Sequence, residues 1–347
     1  MTNWRATDVP VILSLVFAMS SACAPPIGPS DAVAEASATL ESRYSNTNTP
    51  SSTPTPIPSS TRRPTRTPTT TPTPFPFQSP PAPFVFEESG MIAIAPPQGP
   101  SRILYEADEG PGPAAPSLSP DCQWVAFMLF REGSMGFESD IAIGRIDGTD
   151  LRPLATSFRE ESNPSWSGDG TRIAYIVEAH QLYVMWVATR ARAQIVSVDG
   201  SMGSVAWSPT SDEIAYLTLS QEAPSIQIVQ VNTRAVREIS TGSAVPQGGL
   251  SWSPDGTRLA FVSEEELIVL DPDSGATETI LSLSGIEGGT SWTSDGSAIA
   301  FSYKWRDEAE RYHWDIYLVQ VDSKEISRLT TSGEARDADI CKSAVAP

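Results

Sequence analysis

Histidine and cysteine are scarce in this 347-residue chain, which holds two of the former, His180 and His313, and three of the latter. Neither histidine stands in an H-E-x-x-H or cysteine-pair spacing, so no metal-ligand set is legible and neither a metal nor a cofactor is expected. A G-x-S-x-G elbow is also missing, which leaves no nucleophile constellation and no catalytic residue to assign. Basic charge is short: 23 Lys and Arg face 42 Asp and Glu, for a net charge of −19. The imbalance sits in the later part of the chain, since residues before Phe84 are nearly balanced and those from Phe84 onward carry 18 basic against 38 acidic side chains. Nucleic acid is thereby excluded as a partner, because binding its backbone needs a basic face. A cationic peptide, a basic protein segment or divalent ions suit the charge better, although an acidic surface also serves solubility alone. No apolar run is long enough to span a bilayer; Val9 to Met19 is the nearest approach.

What the chain does have is a phrase repeated five times: PSLSPDCQWVAF from Pro116, PSWSGDGTRIAY from Pro164, VAWSPTSDEIAY from Val205, LSWSPDGTRLAF from Leu250 and TSWTSDGSAIAF from Thr290. Its tryptophans at 166, 207, 252 and 292 are spaced by 41, 45 and 40 residues, the length of one four-stranded propeller blade. The phrase reads as two strands around a tight turn. Trp252 ends one strand, Ser253 to Gly256 supply proline, aspartate and glycine turn chemistry, and Leu259, Ala260 and Phe261 begin the return strand. The large, small, large order puts Leu259 and Phe261 on one face and Ala260 on the other, where a neighbouring sheet can approach. Asp121, Asp169, Asp255 and Asp295 share one turn slot and are read as turn residues rather than as a ring of carboxylates; the displaced Asp212 is read in the same way.

Between the phrases, Ile141–Leu154, Ile226–Ile239, Leu267–Ile280 and Ile316–Leu329 each read as strand, polar turn, strand. Gln181 to Val198 is a poorer match, because its turn at Thr189 to Arg192 lacks Asn, Asp or Gly. Phe84 to Tyr105 looks like three strands without an opening strand, and about ten residues, Ala338 to Pro347, follow the last strand pair. Joining the two would remove both open edges. The expectation is an all-β, six-bladed β-propeller of four-stranded antiparallel blades with a composite closing blade, spanning residues 84–347.

The W-S-P-D-G-x-x-I-A-F/Y phrase, with a strand ending in Arg328-Leu329-Thr330, resembles the WD40-like repeat of the TolB family of periplasmic propellers. It departs where Gly168 replaces proline, Cys122 replaces glycine and the third copy reads Pro209, Thr210, Ser211. The resemblance implies an extracytoplasmic propeller that binds unstructured segments of envelope proteins. Propellers of this repeat class also precede the hydrolase domain of prolyl-oligopeptidase-like peptidases, and some related ones are metal-dependent lyases. A chain stopping at Pro347 leaves no room for the first, two histidines cannot build the second, and no enzyme is expected.

Residues 1–23 read as a signal peptide. Small residues Ser20, Ser21 and Ala22 before Cys23 resemble a lipoprotein site, which would make Cys23 the lipidated anchor; ordinary cleavage near Ala22 or Ala24 is the alternative. Residues 24–83 read as a disordered Ser/Thr/Pro-rich linker whose tract from Ser45 to Pro83 serves as a membrane-to-propeller stalk. If Cys23 is lipidated, Cys122 and Cys341 are left as a pair in an oxidising compartment and are expected to form a disulfide at the ring seam.

Candidate partner-binding residues fall on two loops. Ser302 to Trp314 combines Trp305, Tyr312 and Trp314 with Lys304, Arg306 and Arg311, a mixture typical of protein interfaces; the plain alternative is that Tyr312 and Trp314 pack into the next strand and the charges are solvated. Phe130 to Ser139 adds Arg131, Met135 and Phe137. The functional expectation is a monomeric, non-catalytic, membrane-anchored module in the periplasm or at the cell surface, with an envelope protein or peptide segment as partner. A carbohydrate-binding or polymer-active sensor or enzyme is the alternative.

Overall fold

The structure, a computed structural model, describes residues 75–107, 111–133, 136–155, 159–220 and 223–342. The signal segment, Cys23 and the tract up to residue 74 lie outside the described residues.

Every described regular element is a strand, and the 24 strands form six four-stranded antiparallel sheets. β1 (Phe84–Glu88), β2 (Met91–Ala95) and β3 (Arg102–Tyr105) come first and lack an inner strand. Five complete blades follow. They are β4 (Ala114–Leu118), β5 (Trp124–Gly133), β6 (Gly136–Arg145) and β7 (Arg152–Ala155); β8 (Glu161–Trp166), β9 (Arg172–Val177), β10 (Gln181–Trp186) and β11 (Arg192–Ser197); β12 (Ser201–Trp207), β13 (Glu213–Leu219), β14 (Pro224–Gln230) and β15 (Val236–Ile239); β16 (Gly248–Trp252), β17 (Leu259–Ser263), β18 (Glu266–Leu270) and β19 (Thr277–Ser282); β20 (Ile286–Trp292), β21 (Ala298–Arg306), β22 (Tyr312–Gln320) and β23 (Ile326–Arg328). Last, β24 (Ala335–Ile340) returns to pair with β1, completing the sixth blade. The blade count and composite closure are those the repeats predict. The closing strand begins three residues before the expected 338 and ends at Ile340, because its register from Glu88↔Ala335 to Phe84↔Ile340 matches the full length of β1.

The phrase tryptophans hold one blade to the next. Trp166 Nε1 donates to the Ser117 carbonyl at 3.1 Å, Trp252 to Ala206 at 3.1 Å and Trp292 to Ser251 at 3.3 Å, each reaching the inner strand of the preceding blade. A buried indole is thus satisfied while its ring fills the seam. Leu259 and Phe261 pack with Trp252 in one inter-blade core, whereas Ala260 faces the next core beside Trp292.

The turns repeat at atomic level. Asp255 Oδ1 accepts from Ser253 Oγ (2.5 Å) and from Thr257 N (3.1 Å) and Oγ1 (2.9 Å), and Asp169 and Asp295 do the same in their copies. Asp212 does not follow: it pairs with Arg172 of the preceding blade at 2.9 Å and accepts from Asn232 at 2.7 Å, because its copy places Thr210 and Ser211 in the turn slots. Gly168 stands where three other copies have proline because a Cβ there would come within 2.1 Å of the Pro209 carbonyl oxygen. Cys122, in the glycine slot, takes a left-handed φ of 55°.

The outer hairpin of blade β8–β11 is regular despite its sequence. Arg190 N donates to the Trp186 carbonyl and Trp186 N to Ala191, the same bonds made by Arg234 with Gln230 and by Lys324 with Gln320. The left-handed position is filled by Arg190, Arg234 and Lys324 at φ of 58°, 59° and 60°, so glycine is not required there.

Packing also begins before the expected Phe84 boundary. Arg328 N donates to the Pro76 carbonyl and Gln78 N to the Arg328 carbonyl, both at 2.8 Å, adding a short parallel bridge to the outer edge of β23. Phe75 enters the core between the last two complete blades, edge-on to Tyr317 at 5.6 Å. A strap from residue 75 to 83 therefore covers an otherwise open sheet edge.

Candidate functional site

The strands β4, β8, β12, β16, β20 and β24 contact one another in sequence and ring the central channel. Within each blade, the hairpin between the second and third strands opens at one end of this channel. Two of these hairpins are long: the strands of β5–β6 have ten residues each and those of β21–β22 nine, against five to seven in the others.

The tip of β21–β22 is organised by Asp307. Its carboxylate accepts from the backbone of Ala309 (2.8 Å) and Arg311 (3.0 Å), from Arg311 Nε (2.8 Å), and contacts His313 Nε2 at 3.1 Å. The Arg311 backbone bond leads in holding this carboxyl well below the usual carboxylate range. Trp305 supports the hairpin from within: its ring stacks on His313 at 4.7 Å, and Nε1 donates 3.0 Å to Asp315. Asp315 is fully buried and bound by Arg328 at 2.5 Å, Thr330 Oγ1 at 2.9 Å and Gly333 N at 3.2 Å. Arg311 pairs with Asp307 at 2.6 Å. Arg306 pairs with Glu310 at 2.9 Å, hydrogen-bonds the Tyr312 hydroxyl and lies over its ring at 4.3 Å.

From that point a ladder of alternating cations and rings leads down to the channel wall. Tyr312, 44% exposed, is covered on Lys304 at 4.4 Å; Lys304 also lies 5.4 Å from the Trp314 ring, and Arg336 of β24 stacks on Trp314 at 3.9 Å. Glu287 of β20 ties it together, accepting from Lys304 Nζ and Trp314 Nε1 at 3.0 Å each. Cation–aromatic pairs of this kind hold planar groups in place without neutralising the charge.

Below the ladder lie Glu87 and Asp337. Burial and the neighbouring Asp337 push the Glu87 carboxyl up to about 7 against the opposing Arg336. Burial likewise raises Asp337, although it accepts a 2.8 Å bond from Gly289 N.

Of the sequence candidates, Trp305, Arg306, Arg311 and Tyr312 thus share one hairpin, with only Tyr312 and the two arginines at its outer surface. Arg131 stands on the other long hairpin, bound to Glu138 at 2.6 Å and Asp140 at 2.7 Å. Phe137 falls in β6, and its side chain is outside what the structure describes. Glu87, Glu287, Arg336 and Asp337 were not legible as site residues. Their one signal is charge where another blade is uncharged: Arg336 paired with Glu87 holds the register position of Gly248 paired with Val262. Among the described residues, no group of three or more His, Cys, Asp or Glu is placed to hold a metal.

Cys122 and Cys341 are joined by a disulfide, with Cα atoms 5.6 Å apart, between the first phrase turn and the residue after β24.

Residues 191–342 match the PD40 family, described as TolB beta propeller domain. The chain is 25% identical over 212 residues to the "Uncharacterized peptidase YuxL" of Bacillus subtilis (strain 168), covering 59% of this chain and 31% of that protein, so it spans less than a third of that relative's length. Among solved structures it is similar to TolB from Acinetobacter baumannii (TM-score 0.62, 15% identity, 78% of this chain and 68% of that one). It is also similar to a chain of a nidogen/laminin complex (TM-score 0.61, 11% identity, 75% and 98%) and to a putative TolB from Agrobacterium tumefaciens (TM-score 0.56, 15% identity, 74% and 90%). At such identities the likeness is one of fold, and together with the repeats it identifies this chain as a TolB-like six-bladed β-propeller.

Proposed function

We propose that the protein is a non-catalytic interaction module that receives an extended protein segment at the channel mouth, working outside the cytoplasm as a monomer. In this reading residues 1–23 direct export, Cys23 carries the lipid anchor, the linker that begins at residue 24 and ends at the strap holds the propeller away from the membrane, and the partner is an envelope protein. One observation carries it: the ladder Arg306, Tyr312, Lys304, Trp314, Arg336, which gives a passing peptide rings to pack on and fixed cations beside them. The half-buried carboxyls of Glu87 and Asp337 at its foot suit a basic side chain of the same segment.

The test is a random-peptide display selection on the full chain. Peptides enriched on the wild type should bind the Lys304→Ala/Tyr312→Ala variant at least about tenfold more weakly, the effect of losing a central aromatic anchor of about 2 kcal/mol. Enrichment that survives both substitutions, or no enrichment, would sink the reading.

A second reading, a part in peptide or polymer turnover, is favoured by the relative named as a peptidase. Mass spectrometry of the selected peptides after incubation separates the two: intact peptides support a binder, cleaved ones an enzyme.

A further inference from the structure

Alternate strands of an antiparallel sheet reverse direction, so the turns between third and fourth strands lie with the phrase turns at the end of the ring opposite the channel mouth. Between two of them, β6–β7 and β10–β11, runs a trough of about 490 Å³ lined by Arg152, Gly170, Thr171, Val187, Ala188 and Arg190. No carboxylate is among these residues, on a domain that carries 38 acidic against 18 basic side chains.

Its two arginines differ from those around them. Arg145 is paired with Asp150 at 2.9 Å, Arg172 with Asp212 at 2.9 Å and Arg192 with Glu161 at 3.4 Å. Arg152 and Arg190 are exposed, and neither forms a salt bridge among the described residues. Arg152 lies over the Trp124 ring at 5.4 Å; that contact uses the face of the guanidinium and leaves the N–H donors in its plane open. Arg190 closes its turn through a backbone bond to the Trp186 carbonyl, which makes no use of its side chain.

Large apolar side chains stand exposed beside both. Leu151 immediately precedes Arg152, and Trp186 ends β10 at the entry to the turn that carries Arg190. One exposed hydrophobe is ordinary, but a tryptophan and two unpaired arginines around one trough are the side chains on which protein interfaces concentrate their energy.

We propose that this trough docks an acidic protein segment, with neighbouring carboxylates on Arg152 and Arg190 and an apolar side chain beside them on Trp186. Guanidiniums receive carboxylates through paired, charge-assisted bonds. A small oxyanion would use the arginines and leave Trp186 and Leu151 idle, while a sugar or a base would need a ring face in the trough, and none lines it. Asp121 and Asp169 line the adjoining inner cleft and repel a carboxylate from it, which keeps the segment on the outer turns. The acidic remainder of the domain repels the same segment, so the attraction is confined to this one place. The site is independent of the channel mouth and stands whether or not the peptide reading there holds.

Random-peptide display on the full-length Lys304→Ala/Tyr312→Ala variant, in which the mouth is disabled, tests it. Enriched peptides should carry adjacent Asp or Glu next to an apolar residue, bind the wild type as they bind that variant, and weaken with salt. They should bind Arg152→Ala/Arg190→Ala at least about tenfold more weakly and Trp186→Ala several-fold more weakly. Thermal melts of these variants level with the wild type, as exposed positions predict, show that the fold is intact. No enrichment, enrichment without an excess of Asp and Glu, or binding indifferent to the arginine pair would overturn the proposal. Complete displacement of the peptides by millimolar inorganic phosphate would make the trough a small-oxyanion site and would overturn it as well.

Discussion

Carboxylates in this protein are set apart by what surrounds each one. At Asp255 the Ser253 hydroxyl leads, with Thr257, in holding the carboxyl below its usual range. For Asp169, burial pushes upward, but bonds from Ser167 and Thr171 win and hold it at about 2. Glu87 has no such donors, and burial beside Asp337 takes it to about 7. The pH consequences have opposite signs. Asp169 contributes stability above its ordinary value of 3.8, lost as pH falls toward 2; Glu87 contributes fully below 4.5, and that contribution is lost as pH rises through 7. Glu87→Gln, neutral at every pH, should therefore melt a few degrees above the wild type at pH 8 and level with it near pH 4.5. Thermal melts across that range check it, and a constant difference between the two proteins would contradict it.

Among elements, the strap and the long hairpin carry the least predictable packing. Phe75 lies in the core between two blades, edge-on to Tyr303 at 6.4 Å and Tyr317 at 5.6 Å, while Phe77 is 62% exposed. Phe75→Ala should lower unfolding free energy by about 2 kcal/mol, whereas Phe77→Ala should change it by less than about 0.5 kcal/mol, both read from denaturant midpoints. The two residues have the same sequence surroundings, F-P-F in a proline-rich tract, so nothing local distinguishes them. The β21–β22 hairpin was legible as a loop rich in aromatics and arginines. Its division into an inner support, Trp305 on His313 and Asp315, and an outer ladder through Tyr312 was not, because strand alternation places a side chain on a face without saying what covers that face.

For the whole ring, closure is the decisive event. β24 pairs with β1, and Asp339 extends the seam to both sides, accepting from Leu118 N at 2.7 Å and Ser291 Oγ at 2.8 Å. The disulfide from Cys122 to Cys341 spans 219 residues. Chain entropy sets its stabilisation at up to about 5 kcal/mol for a loop of that length. Cys122→Ser/Cys341→Ser should unfold at a lower denaturant midpoint than the wild type, and reductant should lower the wild-type midpoint toward that of the variant without moving the variant. If reductant left the wild type unchanged, the disulfide would have no part in closure.

The sequence alone determined the architecture. Turn chemistry and strand alternation act over a few residues, and five copies at blade spacing leave one fold that satisfies them all. It also located the loop bearing Tyr312 and the two cysteines at the seam. Only the tertiary structure decided which distant residues meet: Arg336 on Trp314, Asp212 with Arg172 and Trp166 on the Ser117 carbonyl across blades, and Glu87 beside Asp337 within the closing one. These partners lie tens to hundreds of residues apart in the chain, and each depends on the register of a particular seam. A repeat describes what its copies share, whereas binding surfaces arise where copies differ, and those differences gain meaning only when the ring sets them side by side.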